Sequence, residues 1–281
     1  MKIGKQNELT VARIVEFGVY LADQEGNEVL LPARYIQEPP QIGEKISVFV
    51  YTDSEDRPVA TTEHPFAQVG EFAFLDVVAV NRIGAFLDWG LMKDILCPFR
   101  EQKTRMNVGM QYLVYIYLDD ASKRVACSAK IEKFLGNVPP EYKRGQKVSA
   151  LVYKHTDQGY LCIVDNLHQG MVYHSSLYAP LEIGEAIEAH VAKIRRDGKI
   201  DLVAGGDAME RSRLIASRIL KLMEQNNGFI NLNDKSSPQA ISTQLQCSKK
   251  DFKKAVGHLL KQGAIRLEAL KSKLKRNFPP A

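Results

Sequence analysis

Three short words carry an aromatic or a polar side chain around a glycine: Phe17-Gly18-Val19-Tyr20, Ile83-Gly84-Ala85-Phe86 and Gln158-Gly159-Tyr160-Leu161. A glycine with a ring two places on suits a strand that bends sharply and still presents a π-face. Further along, Lys250, Lys253, Lys254 and Lys261 recur at helical spacing. Rings and ammonium groups at these spacings grip planar groups and negative charge without making or breaking bonds.

Covalent chemistry finds no comparable constellation. There is no GxxxxGK[ST] phosphate loop, HExxH, GxSxG or CxxC pair. The six histidines (His64, His155, His168, His174, His190 and His258) are dispersed without metal-ligand spacing. We therefore expect no enzymatic activity, no cofactor and no metal. Cys97, Cys127, Cys162 and Cys247 are scattered, which fits a reducing cytoplasm rather than a disulfide framework. No apolar run is long enough to span a membrane, and the start of the chain lacks the apolar stretch of a signal peptide. A cytoplasmic protein without a membrane partner is expected.

The elements that position these residues repeat. Gly4, Gly18 and Gly43 are separated by 14 and 25 residues. Gly70, Gly84 and Gly109 show the same spacings, as do Gly145, Gly159 and Gly184. Units displaced by 66 and 75 residues are large enough to be small domains. Each unit reads as five short strands with no crossover helix, the pattern of a small closed barrel. In the first, Leu9 to Val15, Val19 to Leu21, Val29 to Leu31, Lys45 to Tyr51 and Arg57 to Thr61 are the strands. Val138-Pro139-Pro140-Glu141 reads as a stiff linker.

The period then changes to about 3.6. Ala208 to Gln225 reads as a helix with Ile215, Ile219, Leu222 and Met223 on one face. Ser237-Pro238 opens a second helix, to about Gln246. Ser248-Lys249-Lys250-Asp251 starts a third in the manner of a capping box. Ala264 to Leu267 returns as a strand. That order is the plan of a winged helix. The fold class expected is multidomain and mainly β: three tandem five-stranded OB-fold barrels (1–66, 67–136 and 143–206), then an α+β winged-helix domain (207–270).

Charge is uneven. Residues 1–66 carry 6 basic and 11 acidic side chains, whereas residues 207–281 carry 15 and 6. The C-terminal quarter is the polyanion-attracting part.

Five-stranded barrels with Phe-Gly-x-aromatic at the bend resemble the S-one-type RNA-binding domain of the ribosomal small subunit. Three of them before a winged helix resemble the bacterial conserved virulence factor B family. The words carrying that resemblance are Ile194-Arg195-Arg196-Asp197-Gly198-Lys199-Ile200-Asp201-Leu202, Asp234-Lys235-Ser236-Ser237-Pro238 and Ser248-Lys249-Lys250-Asp251-Phe252-Lys253-Lys254-Ala255. It implies a cytoplasmic protein that binds single-stranded RNA and regulates gene expression, in some bacteria including virulence genes.

The family pattern wants rings on both sides of the central glycine, a histidine near the third strand's end and an acid–basic pair before the last strand. Phe17 and Tyr20 match both rings in repeat 1, with Leu31 near the histidine position. In repeat 2, Ile83 loses the first ring, Phe86 keeps the second, Cys97 stands near the histidine, and Asp120 and Arg124 match the pair. In repeat 3 both rings are lost, Tyr173 or His174 occupies the histidine region, and Arg195 and Lys199 take the pair positions.

Phe17 and Phe86 either pack inward or face out; Tyr20 is expected to be exposed, because its hydroxyl needs a partner. Trp89 is either a stacking platform or a loop anchor. The four lysines read as phosphate clamps, since the helix face lacks the asparagine, glutamine and arginine that read base edges. Two other readings stay open. One is a transcription regulator that binds duplex DNA through the winged helix; the other is an interaction scaffold on the ribosome or the transcription machinery.

Overall fold

The computed structural model describes residues 1–53, 55, 57–177, 180–204, 208–245, 247–268 and 273–276. The expected domain ends at residues 206 and 270 and the expected helix end near Gln246 lie outside these residues. The chain forms two compact units, Met1–Leu135 and Gly136–Ala281.

The first unit holds two closed barrels. Barrel 1 comprises β1 (Lys5–Val15), β2 (Gly18–Ala22), β3 (Glu28–Pro32), β4 (Lys45–Thr52) and β5 (Pro58–Thr61), closed in the order β1-β2-β3-β5-β4. Barrel 2 comprises β6 (Phe72–Val80), β7 (Gly84–Leu87), β8 (Ile95–Pro98), β9 (Gln111–Leu118) and β10 (Val125–Ser128), with the same connectivity. In the second unit, β11 (Lys147–Thr156), β12 (Gly159–Val164), β13 (His168–Tyr173), β14 (Ala186–Ile194) and β15 (Ile200–Ala204) close barrel 3 in the order β11-β12-β13-β15-β14. Mainly β architecture with three five-stranded barrels is what the repeats predicted.

The glycine register has two physical causes. A Cβ on Gly18, Gly84 or Gly159 would stand 2.2, 2.3 or 2.1 Å from the carbonyl oxygen of Leu31, Cys97 or Val172. Only glycine lets the third strand approach this closely. Gly43, Gly109 and Gly184 have φ of +87°, +80° and +93°, so each turns the chain into the fourth strand through the left-handed region. A bulge interrupts the first strand of each barrel, at Val11/Arg13, Val77/Ala79 and Val152/Lys154. It re-aims the residues that follow, next to the bend. A single 3-10 turn follows the third strand each time (Ala33–Tyr35, Phe99–Glu101 and His174–Ser176), a repeat the sequence pattern did not reveal.

Each barrel fills its interior with alternating apolar residues: Val11, Val19, Leu21, Leu31 and Val50 in barrel 1, and Val152, Cys162, Val172, Val191 and Leu202 in barrel 3. Barrel 2 differs, because its core continues into Phe49, Tyr51 and Val59 of barrel 1. Trp89 is the joint. It is buried, its ring meets Phe49 edge-on at 5.6 Å and Tyr51 at 6.4 Å, and its Nε1 donates to the Lys93 carbonyl at 2.6 Å. Lys93 Nζ in turn donates to the carbonyls of Thr52 and Asp53, at 2.9 and 2.7 Å. Of the two readings for Trp89, the anchor is the one observed.

The diproline segment is not a free linker. His168, buried on β13, bonds through Nε2 to the Val138 carbonyl at 2.8 Å and through Nδ1 to the Tyr142 hydroxyl at 3.2 Å. The segment is strapped to barrel 3.

The winged helix follows: α1 (Ala208–Gln225), β16 (Phe229–Ile230), α2 (Pro238–Leu245), α3 (Lys249–Lys261), β17 (Ile265–Glu268) and β18 (Lys273–Arg276). The strands pair in the order β16-β18-β17. Ile215, Ile219 and Met223 of α1 pack with Ile241, Leu245, Phe252, Ala255 and Leu259. Ser248 caps α3, its Oγ accepting from the Asp251 amide at 3.1 Å, as the capping-box reading predicts. β16 and β18 were not foreseen, and β18 carries the sheet past residue 270.

Candidate nucleic-acid interface

In each barrel the residue two places after the central glycine alternates outward between buried neighbours. Tyr20 pairs with Arg13 and Leu30, Phe86 with Ala79 and Leu96, and Leu161 with Lys154 and Met171. These rows are equivalent surfaces on one scaffold, and their chemistry differs.

In barrel 1, Phe17 is 58% exposed. Tyr20, expected to be exposed, is half-buried, because the Arg13 guanidinium lies 3.6 Å above its ring centroid. Arg13 is held there by Glu28 at 3.0 Å, and that bond raises its pKa. One π-face of Tyr20 is therefore already covered. Leu31, near the histidine position, is buried in the core.

In barrel 2, Phe86 is half-buried and faces out, so it does not pack inward. Its neighbour on the first strand is Ala79, which places no cation over the ring. Ile83 is exposed at the first ring position, and Cys97 is buried where the histidine was sought. Asp120 and Arg124 are both exposed. Asp120 makes its ion pair with Lys123 at 3.9 Å, and its neighbour Asp119 pairs with Arg100 at 3.6 Å.

In barrel 3 the acid–basic pair is present in another form. Arg195 bonds not to a partner at residue 199 but to Asp201, Nε to Oδ1 at 2.7 Å, and this raises its pKa. Its other nitrogen donates to the Tyr173 hydroxyl, which itself donates to Asp201 at 3.3 Å. Lys199 is exposed and pairs with Asp197 at 3.7 Å. Tyr173 thus belongs to the outward row. His174 begins the 3-10 turn, with Nε2 3.0 Å from the Thr156 carbonyl and its ring 5.0 Å from His155 and 5.2 Å from Tyr160. Lys154, exposed beside Leu161, adds a cation to this row.

On α3, Phe252, Ala255 and Leu259 face the core, while Lys250, Lys253, Lys254 and Lys261 are all exposed. Gly257 lies among them, and a Cβ there would meet nothing within 4 Å. The face is open and cationic.

The sequence pattern did not point to Arg13, Lys154 or Asp201. Carrying the glycine register seven residues back from Tyr20 and Leu161 would have found the first two. Asp201 needed the register of β14 on β15, where a shift between Val191 and Lys193 moves the pairing.

OB barrels and winged helices are nucleic-acid-binding architectures. Residues 3–63 match the S1 domain family, and residues 217–274 match the CvfB-like winged helix domain. Together these domains support nucleic acid binding by this chain. Along most of its length the chain is similar to the conserved virulence factor B proteins, and the resemblance read from the sequence is borne out. The protein of that name from Staphylococcus epidermidis (strain ATCC 12228) is 27% identical over 84% of this chain and 82% of its own. The uncharacterized protein YitL of Bacillus subtilis is 26% identical over 94% and 91%. A crystal structure of a multidomain protein with nucleic acid binding domains from Streptococcus pneumoniae is 23% identical, covering 98% of both chains with a TM-score of 0.40. Among the described residues, no helix is long and apolar enough to cross a membrane.

Proposed function

We propose that this protein is a non-catalytic, cytoplasmic binder of single-stranded RNA that regulates gene expression after transcription. The observation that carries this reading is the outward ring of Phe86 on a closed barrel, with only alanine beside it on the first strand. A stacking platform of this kind takes an unpaired base, because a paired base in a duplex has no free π-face. Barrel 3 contributes Tyr173, Arg195, Lys154 and Lys199. His174, held by its carbonyl contact, rims this surface. Asp120 and Arg124 flank the Phe86 face of barrel 2. Lys250, Lys253, Lys254 and Lys261 supply phosphate contacts, and linked modules gain affinity through effective concentration.

A second reading has its own support. A basic third helix beside a two-stranded wing is the geometry that duplex-DNA regulators use. Against it, the exposed α3 face is lysine, which positions phosphates, and lacks the side chains that read base pairs. Charge reversal at Lys250 and Lys254 separates the two. It weakens RNA binding if the barrels hold the strand, and abolishes duplex binding if α3 is the reader.

A further inference from the structure

Barrel 1 is the barrel least suited to a polyanion, although it carries both rings. We propose that the tip of its β1–β2 hairpin docks a basic, arginine-bearing segment of a protein partner, and not nucleic acid. The tip presents Ile14 and Phe17, 54% and 58% exposed, on either side of the exposed Glu16. Exposed large apolar groups beside a charge are the anchor-and-rim arrangement of protein interfaces.

Charge selects the partner. Residues 1–66 carry 11 acidic and 6 basic side chains, and among the described residues Glu16, Glu38 and Glu63 make no ion pair. A phosphate backbone is repelled by this field, and a basic peptide is drawn to it.

The barrel also displays its ligand chemistry in its own fold. The Arg13 guanidinium rests on the Tyr20 ring while Glu28 binds its nitrogen. A ring and a carboxylate together make a guanidinium seat. Glu16 and Phe17, adjacent in sequence and both exposed, offer the same two kinds of group at the hairpin tip. At the equivalent tip of barrel 3 stand His155, Asp157 and Gln158, and at that of barrel 2 the exposed Val80 and Ile83 flank Arg82, so the combination of apolar anchors with a carboxylate belongs to barrel 1.

The test uses the full chain and two labelled probes: a synthetic peptide of alternating arginine and leucine, and a short single-stranded RNA. Both titrations are made with the unaltered protein, with Phe17→Ala and with Lys250→Glu. Phe17 is exposed, so its removal spares the fold, and circular dichroism checks this. We expect Phe17→Ala to weaken peptide binding about tenfold while leaving RNA binding within about twofold. Lys250→Glu should do the reverse. The proposal is overturned if the peptide does not bind, if it binds Phe17→Ala as well as the unaltered protein, or if Phe17→Ala lowers RNA binding instead. Loss of the Lys250 effect alone counts against the RNA reading and leaves the barrel 1 docking site standing.

Discussion

The two compact units of this chain both contain the five-stranded barrel, and they differ in charge and in the residues at the hairpin tips. Met1–Leu135 carries 15 basic and 19 acidic side chains, and Gly136–Ala281 carries 23 and 14. The hairpin tips of the first unit are apolar, with Ile14 and Phe17 in barrel 1 and Val80 and Ile83 in barrel 2. The corresponding tip in the second unit is His155 and Gln158. The same central glycine, the same bulge and the same strand order underlie all three. One backbone therefore presents three outward rows of different chemistry.

The first way to break the comparison is to remove the joint that makes barrels 1 and 2 one body. Trp89→Ala deletes a buried ring in contact with Phe49 and Tyr51, and should cost about 3–5 kcal/mol. Urea unfolding followed by far-ultraviolet circular dichroism should show an early transition for the first unit and an unmoved one for the second. A single unchanged transition would show that the joint carries no stability. Next, Lys250→Glu with Lys254→Glu removes the cationic face of α3. RNA affinity should fall about 30-fold at low salt, with the slope of log K against log salt reduced by about 1.4 for two lost phosphate contacts. An unchanged slope would detach the winged helix from binding.

Smaller effects sharpen the barrels against one another. Phe86→Ala should weaken single-stranded RNA binding by about 1–2 kcal/mol, the worth of one stacked base. Tyr20→Ala should change it by less, since Arg13 already covers one face of that ring. Equal losses would place the strand on barrel 1 as well. The smallest change expected is a gain: Leu161→Phe restores the missing ring of barrel 3 beside Lys154, and should strengthen binding by about 0.5–1 kcal/mol in the same titration. No change would mean that this row does not touch the strand.

The fold was legible wherever a rule acts within a few residues. The central glycines stand where a third strand leaves no room for a Cβ, so their spacing revealed the barrels. Ser248 and Asp251 revealed the start of α3 because a cap is local. β16 and β18 stayed hidden, since two- and four-residue strands gain their meaning only from pairing with each other. At the site, the lysine face followed from helical period alone. The partners of the rings did not. Arg13 covers Tyr20 because a bulge shifts the register between β1 and β2, and Arg195 finds Asp201 across another shift. For Trp89 the sequence left an anchor and a stacking platform open and gave no sign of the residues it joins, because Phe49 and Tyr51 belong to another repeat.

The most direct test of the account is the affinity of the whole protein, across a salt series, for a short single-stranded RNA and for a duplex DNA of equal charge. The account predicts a preference for the single strand that Phe86→Ala reduces and that persists, weakened, in Lys250→Glu with Lys254→Glu. A preference for the duplex, indifferent to Phe86 and lost with the two lysines, would contradict it and make α3 the reader of DNA.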